Sequence, residues 1–87
     1  MTGWDLEFTP RARRNLKKLD PVTARRITSA LVRLASLDDP TDPCKALNGP
    51  LTGLWRHRVG DYRIILDIDR GRLVLLTVEI DHRSAIY

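Results

Sequence analysis

Three arginines flank a predicted two-residue turn at a spacing suited to binding a phosphate. Arg56 and Arg58 precede Gly60-Asp61, and Arg63 follows it. If Gly60 and Asp61 form a hairpin loop, Arg58 lies directly opposite Arg63 on the neighbouring strand. Guanidinium groups present planar forks of donors that match phosphate oxygens. The spacing therefore predicts an anion-binding cluster.

Side chains alternate between the two faces of a strand, so Arg56, Arg58 and Arg63 share one face, which we call the arginine face. Ile65 and Asp67 lie on it as well. Like charges directly opposite each other destabilise an antiparallel pair. Two interpretations follow. Either an RNA or DNA phosphate bridges the arginines, or the face is solvated and neutralised by Asp67 or by a partner protein's carboxylates.

The opposite face of this hairpin is mostly apolar and is predicted to pack on helices. It carries Trp55, His57, Val59, Tyr62, Ile64, Leu66 and Ile68. A second hairpin with Arg70-Gly71 as its loop places Arg63 opposite Val78. In that register the arginine face also carries Val74, Leu76, Val78, Ile80 and, if the strand extends that far, His82.

Two residues near the C-terminus are further candidates. His82 can move protons near neutral pH, and its alternative is an exposed histidine without a function. Tyr87 can stack on a base, because every base has a π-face, or its ring can be flexible. We read His57 as a half-buried strand residue and Cys44 as inert. No Gly-rich phosphate loop, catalytic carboxylate pair or spaced metal ligands appear, so no metal and no cofactor is expected.

The elements that position these residues follow from periodicity. An alternating stretch predicts a strand over residues 4–9, and Thr9-Pro10 and Asp20-Pro21 are start signals for two helices, the second running to about Leu37. Three apolar strands follow, over residues 54–59, 62–68 and 73–80, and residues 39–52 are read as an irregular connection. The predicted fold class is α+β, in the order β-α-α-β-β-β. A helical hairpin packs on one face of an antiparallel four-stranded sheet, in a single domain over residues 1–87.

Composition narrows the class of protein. The chain has 87 residues, a net charge of +4 and one cysteine, which excludes a second domain, a disulfide framework and a Cys-rich zinc site. No apolar run is long enough to span a membrane and no signal peptide is visible, so we expect a cytoplasmic protein with no membrane partner. The excess of basic over acidic residues favours a polyanionic partner. The basic residues on the two helices serve either contact with nucleic acid or solubility.

Two segments resemble a known family. Residues 51–65, LTGLWRHRVGDYRII, and residues 81–87, DHRSAIY, are similar to the RelE/ParE toxin superfamily, and most of all to its RelE branch in bacterial type II toxin–antitoxin systems. The resemblance covers nearly the whole chain. It implies a metal-independent endoribonuclease, an mRNA interferase that cuts mRNA in the ribosomal A site. In this reaction a ribose 2′-hydroxyl attacks the adjacent phosphate.

The resemblance also implies roles for individual residues. Arg56, Arg58 and Arg63 would bind RNA, with Arg58 and Arg63 acting catalytically and Arg63 clamping the scissile phosphate. One of His82 and Arg83 would be the general acid, and Tyr87 would stack on a base or orient the 2′-hydroxyl. This chain has Asp81 where some RelE members carry another arginine, and it has no lysine in the strand pair. The general base is therefore left open among His82, Tyr87, ribosomal RNA and no base at all.

The partners that the resemblance implies are a RelB-type antitoxin, the ribosome with its mRNA and, together with the antitoxin, the operator DNA of the operon. Two other functions are weighed against the nuclease. One is a ParE-like inhibitor of DNA gyrase, which has the same fold and no nuclease activity. The other is a non-catalytic RNA-binding module.

Overall fold

The structure is a computed structural model and describes residues 3–82. Two helices and five strands follow one another, with a short 3-10 helix at Gly49–Leu51. In chain order the elements are β1 (Asp5–Phe8), α1 (Pro10–Lys17), α2 (Pro21–Ala35), β2 (Lys45–Ala46), β3 (Trp55–Val59), β4 (Tyr62–Asp69) and β5 (Val74–His82). Neither helix of this part of the chain is long and apolar enough to cross a membrane.

Both helices begin where the sequence predicts. The Thr9 hydroxyl accepts a hydrogen bond from the Ala12 N–H at 3.1 Å, and Pro10 occupies the first turn of α1. The Asp20 carboxylate accepts one from the Thr23 N–H at 3.1 Å at the start of α2. In both cases the side chain satisfies an N–H group that the first turn leaves without an intrahelical partner.

The core lies between α2 and the sheet. The helix contributes Ile27, Leu31, Leu34 and Ala35, and the strands contribute Ile64, Leu66, Leu75 and Ile80. The buried residues of α2 recur at spacings of three and four, as expected for one face of a helix. Each fully buried Leu or Ile stabilises the fold by about 1.5–3 kcal/mol, so this small cluster holds the helix on one face of the sheet and leaves the other face available for function.

The α+β class and the helical hairpin are confirmed, but the sheet is not a four-stranded antiparallel one. It has five strands in the order β1-β5-β4-β3-β2, and β1 runs parallel to β5. A fifth strand, Lys45–Ala46, pairs with Trp55 and Arg56 inside the segment predicted to be irregular. Short turns dictate only the antiparallel β3-β4-β5 meander. The direction of β1 depends on where the two helices return the chain, which is a tertiary matter.

The first hairpin has the predicted register, and the second does not. Asp69 pairs with Val74, so the loop spans residues 70–73 and not Arg70-Gly71 alone. The Asp69 carboxylate accepts a hydrogen bond from the Arg72 N–H at 3.1 Å, and Leu73 adopts a positive φ of 55°. These features build a four-residue turn that the shortest-loop assumption misses.

The register also shifts between Ile65 and Leu66. Ile65 pairs with Glu79 and Leu66 pairs with Thr77, so Val78 is an extra residue on β5. An inserted residue of this kind exchanges the two faces for every residue beyond it. The Val78 carbonyl accepts a hydrogen bond from the Thr9 hydroxyl at 2.6 Å, which ties the bulge to the start of α1.

Helix α1 continues along the edge of β5 where β1 ends. The last residue pair between β1 and β5 is Phe8 with Thr77. Beyond it, the Asn15 side-chain oxygen accepts a hydrogen bond from the Ile80 backbone N–H at 3.1 Å. The helix thus satisfies an edge N–H that would otherwise be available to another strand.

Candidate functional site

The arginine face is built by the tight turn between β3 and β4. Arg58 pairs directly with Arg63, and Arg56 with Ile65, in the register that the sequence predicts. Gly60 takes a positive φ of 58° in the turn, a conformation that residues with a Cβ rarely adopt. Two guanidinium groups are thereby held on neighbouring strands of the same sheet face.

The bulge at Val78 brings two carboxylates to this face. Asp81 pairs with Arg63, and Glu79 pairs with Ile65. Because directly paired residues share a face, one row across the sheet reads Asp81, Arg63, Arg58 and the next reads Glu79, Ile65, Arg56. Sequence reasoning missed both carboxylates, because the register that it assumed placed them on the opposite face.

The apolar residues of β5 that were predicted to lie on the arginine face are therefore only partly there. Val74 pairs with Asp69 and Leu76 with Asp67, so these two lie on the arginine face as predicted. Ile80 instead pairs with Ile64 and is buried in the core, 4% exposed. The prediction that Val78 pairs with Arg63 is wrong as well, since Asp81 takes that position. Arg63 therefore has a charged residue on each neighbouring strand, Asp81 on β5 and Arg58 on β3, where the sequence predicted an apolar neighbour on β5.

Arg63 has a donor available for a ligand. Its Nε is buried and has no hydrogen-bond partner within the part of the chain that the structure describes. A cavity of about 120 Å³ opens beside it, lined by Arg58, Gly60, Asp61, Tyr62 and Arg63. A buried donor that lacks a partner costs free energy. An anion seated between the two arginines would remove that cost and offset their mutual repulsion.

Neighbouring groups shift the pKa of Glu79 in opposite directions. Its pKa is raised, first by its hydrogen bond with Asp81, then by burial and the Asp81 charge. The Arg11 guanidinium of α1, with Nη1 3.2 Å from Oε1, acts in the opposite direction. The Glu79 carboxyl therefore lies between a second carboxyl group and a guanidinium.

His82 does not lie on the arginine face, and that prediction is wrong. It pairs with Tyr62, whose ring meets the imidazole edge-on with centroids 5.1 Å apart and an interplanar angle of 86°. Both rings line a cavity of about 250 Å³ on the helix side of the sheet, together with Ile27 and the Arg26 side chain. The bulge is again the reason, because it reverses the parity of β5 after Val78.

Arg26 is a residue that sequence reasoning did not single out. Its guanidinium lies over the turn, with Nη2 3.5 Å from the position that a Cβ on Gly60 would take. The turn therefore has Arg58 and Arg63 on one side and Arg26 on the other. The available signal was the place of Arg26 next to the buried Ile27 in the helical stripe.

The other residues considered in the sequence are His57 and Cys44, which the structure describes, and Arg83 and Tyr87, which it does not. His57 lies on the helix side as predicted, and its pKa is lowered, mainly by burial, with the Arg33 charge contributing. Cys44 is half-buried, and its pKa is raised to about 11, chiefly by burial. Arg83 and Tyr87 lie outside the described residues. Within residues 3–82 no three His, Cys, Asp or Glu side chains cluster as metal ligands.

A further cavity, of about 420 Å³, lies along α2 beside the end of β3. Its lining is basic with an apolar floor and comprises Val22, Arg25, Arg26, Ser29, Ala30, Arg33 and Val59. Val22 is 64% exposed on the rim. Arg25, Arg26 and Arg33 in this groove are among the basic helix residues for which nucleic-acid contact and solubility are the two alternatives.

The fold, a helical hairpin on one face of a mixed sheet, is similar to that of solved RelE-type toxins. One chain of the toxin–antitoxin complex RelBE2 from Mycobacterium tuberculosis superposes with a TM-score of 0.86, at 29% identity, over 97% of this chain and 95% of that one. A chain of the archaeal RelE–RelB complex from Pyrococcus horikoshii gives 0.78 at 22% identity, over 98% and 100% of the two chains.

The sequence comparisons agree with the fold. The chain belongs to the ParE toxin family of type II toxin–antitoxin systems, whose model matches residues 6–87. It is 36% identical to Toxin RelG of Mycobacterium tuberculosis in an alignment 87 positions long that covers 97% of this chain and 95% of the relative. The resemblance inferred from residues 51–65 and 81–87 is thus confirmed, and the protein is a type II toxin of the RelE/ParE superfamily.

Proposed function

We propose that this toxin is a ribosome-dependent endoribonuclease that cleaves mRNA in the A site. The observation that supports it best is the direct opposition of Arg58 and Arg63 beside a small cavity, with the Arg63 Nε lacking a partner among residues 3–82. An arrangement that costs stability in the isolated protein is expected where an anionic ligand completes it.

The reaction needs charge stabilisation more than cofactors. The 2′-hydroxyl oxygen attacks phosphorus, the bond to the 5′-oxygen breaks, and the products are a 2′,3′-cyclic phosphate and a 5′-hydroxyl. Negative charge develops on the phosphorane oxygens, and preorganised donors aimed at such charge are each worth about 3–4 kcal/mol. In this proposal Arg58 and Arg63 supply those donors without a metal, and Arg56 binds the adjacent RNA backbone. The ribosome positions the mRNA for in-line attack.

The C-terminal residues keep their proposed roles with one change. Arg83 is proposed as the donor of a proton or of charge to the leaving 5′-oxygen, and Tyr87 as the aromatic that stacks on a base. His82, placed beside Tyr62 and near Arg26 on the other side of the turn, is a less suitable partner for Arg63. We propose that it contacts RNA only at the rim of the sheet.

The proposed partners are a RelB-type antitoxin and the ribosome. Two of the similar structures are complexes of RelE and RelB type from other organisms. An antitoxin segment with acidic groups would bind the arginine face by charge complementarity and so inhibit cleavage. With the antitoxin bound, the complex is proposed to bind its own operator DNA. All of these partners are available in the cytoplasm.

The proposal is tested by cleavage of mRNA during cell-free translation, read by primer extension. We expect the wild-type protein to cut within codons at the A site and Arg63→Ala to cut about 10²–10³-fold more slowly. Arg72→Ala is the matched control, since Arg72 is an exposed arginine in the turn at the other end of β4. Intact mRNA in the presence of folded wild-type protein would refute the nuclease.

A second candidate function is inhibition of DNA gyrase, as in ParE-type toxins. The match of residues 6–87 to the ParE toxin family favours it. It predicts that purified protein stabilises cleaved DNA in a gyrase supercoiling reaction while mRNA stays intact. Running the two assays side by side separates the candidates, because each predicts activity where the other predicts none.

A further inference from the structure

We propose that the Glu79–Asp81 carboxyl pair is the general base of the reaction and accepts the proton of the attacking 2′-hydroxyl. The inference rests on the proposed nuclease function and assigns a role that the sequence analysis left open. Its foundation is the β-bulge at Val78, which turns both carboxylates onto the face that carries Arg58 and Arg63.

The position of Asp81 suits this role. It pairs directly with Arg63, so the Cβ atoms of the two residues are about 4.5–5.5 Å apart. Arg63 in turn pairs with Arg58. A phosphate held by the two arginines therefore lies about one strand away from Asp81. In this proposal the carboxylate reaches past Arg63 to the neighbouring ribose.

Other groups on the described part of the molecule are worse acceptors. Arginine stays protonated at neutral pH, and His82 lies on the other side of the sheet against Tyr62. Asp67 shares the arginine face but pairs with Leu76 and is four residues from Arg63 along β4, about 13 Å away. Asp61, in the turn, also lines the cavity beside the arginine pair. Asp81 differs from it in pairing directly with Arg63 across the sheet and in having Glu79 as a second carboxylate on the same face.

The charged surroundings explain how the pair would handle a proton. Arg11 of α1 contacts Glu79 at 3.2 Å, Asp81 is hydrogen-bonded to it from the same strand, and Arg56 and Arg63 lie on the strands beyond. The raised pKa of Glu79 results first from the bond with Asp81. The raised pKa of Glu79 lies nearer to neutrality, where a general base is most effective.

The step balances without a further reagent. The 2′-hydroxyl loses its proton to the carboxyl pair as the bond from its oxygen to phosphorus forms. The bond from phosphorus to the 5′-oxygen breaks, and a proton from Arg83 or from water goes to that oxygen. The pair then releases its proton to solvent and returns to its starting state.

The test is single-turnover cleavage of mRNA on programmed ribosomes, measured from pH 5.5 to 8. We expect Asp81→Asn and the Glu79→Gln, Asp81→Asn double variant to slow cleavage by about 10²–10⁴-fold, the usual contribution of general acid–base catalysis. The wild-type rate should rise with pH as Glu79, whose pKa is raised, loses its proton, and the double variant should lose that rise. Asp67→Asn is the control and should cleave at the wild-type rate.

Two further measurements separate proton transfer from positioning. A substrate with sulfur in place of the leaving 5′-oxygen needs no general acid, so it should not rescue Asp81→Asn. Asp81→Glu, which restores a carboxylate, should recover part of the rate. A role confined to orienting Arg63 would leave the pH dependence unchanged in the double variant.

The outcomes distinguish the two proposals. If wild-type protein cleaves mRNA and the double variant cleaves within about threefold of it with the same pH profile, the carboxyl pair is not the base and the nuclease assignment stands. If folded wild-type protein cleaves nothing, the nuclease proposal fails and this inference fails with it.

Discussion

Arg58 and Arg63 lie directly opposite each other on β3 and β4, and Asp81 lies on the other side of Arg63. Across these three strands, Arg63 is repelled by Arg58 and attracted by Asp81. Asp81 offsets part of the repulsion for Arg63 but is two strands away from Arg58. Of the two opposed arginines, Arg63 thus pairs directly with a carboxylate on its other side and Arg58 does not, and this asymmetry makes substitution of Arg58 informative.

We expect Arg58→Ala to raise the free energy of unfolding while it abolishes cleavage. Removing one of two like charges that face each other relieves about 0.2–1 kcal/mol, and Arg63 keeps its pairing with Asp81. Urea unfolding at low salt measures the gain, which should shrink at high salt as the charges are screened. Arg72→Ala should change stability by less than the Arg58 variant. A clear loss of stability in Arg58→Ala would contradict this account.

Thr9 is predicted to be a stabilising residue with two functions. Its hydroxyl accepts from the Ala12 N–H at 3.1 Å and donates to the Val78 carbonyl at 2.6 Å, so it caps α1 and holds the bulge. Thr9→Ala should lower the free energy of unfolding by about 1–3 kcal/mol, the sum of a lost cap and a lost hydrogen bond. Thr9→Ser keeps the hydroxyl and should lose less than half of that. Equal losses in the two variants would show that the hydroxyl is not responsible.

His57 is expected to make the fold sensitive to mild acid. Its pKa is lowered in the folded protein, mainly by burial, and its Nδ1 is buried with no hydrogen-bond partner among the described residues. The unfolded chain therefore takes up a proton first as the pH falls below the ordinary value of 6.5. Stability is complete above that value and decreases as the pH falls towards the lowered pKa of the folded state.

The check is thermal unfolding of the wild-type protein and of His57→Gln between pH 5 and 8. Gln keeps a side-chain N–H but does not titrate. The wild-type melting temperature should decrease on the acid side, and the Gln variant should be flatter across the same interval. Parallel curves for the two proteins would contradict the expectation.

Cys44 is predicted to resist alkylation. Its pKa is raised to about 11, because the thiol is half-buried and Asp39 lies near, and its Sγ contacts the Pro40 carbonyl oxygen at 3.3 Å. Only the thiolate reacts, so labelling by iodoacetamide at pH 8 should be about a hundredfold slower than that of an ordinary cysteine. Unfolding in urea should restore the ordinary rate. Fast labelling of the folded protein would show that the thiol is accessible and ionised.

Local sequence patterns were sufficient to predict those features of the fold that depend only on residues close together in the chain. Thr9-Pro10 and Asp20-Pro21 start helices because the caps act within three residues. Gly60-Asp61 sets the pairing of Arg58 with Arg63 because a two-residue loop leaves a single register. The spacing of Ile27, Leu31 and Leu34 placed one face of α2 in the core.

The sequence by itself therefore determined the class of fold, the arginine face and the family. The tertiary structure decided the direction of β1, the bulge at Val78 and, through that bulge, the positions of Asp81 and His82. The physical reason is that one inserted residue exchanges the faces of a strand, and whether it is inserted depends on distant contacts such as the hydrogen bond from Thr9 to Val78. The residues next to the Gly60-Asp61 turn obey local rules, whereas the end of β5 is set by what packs beside it.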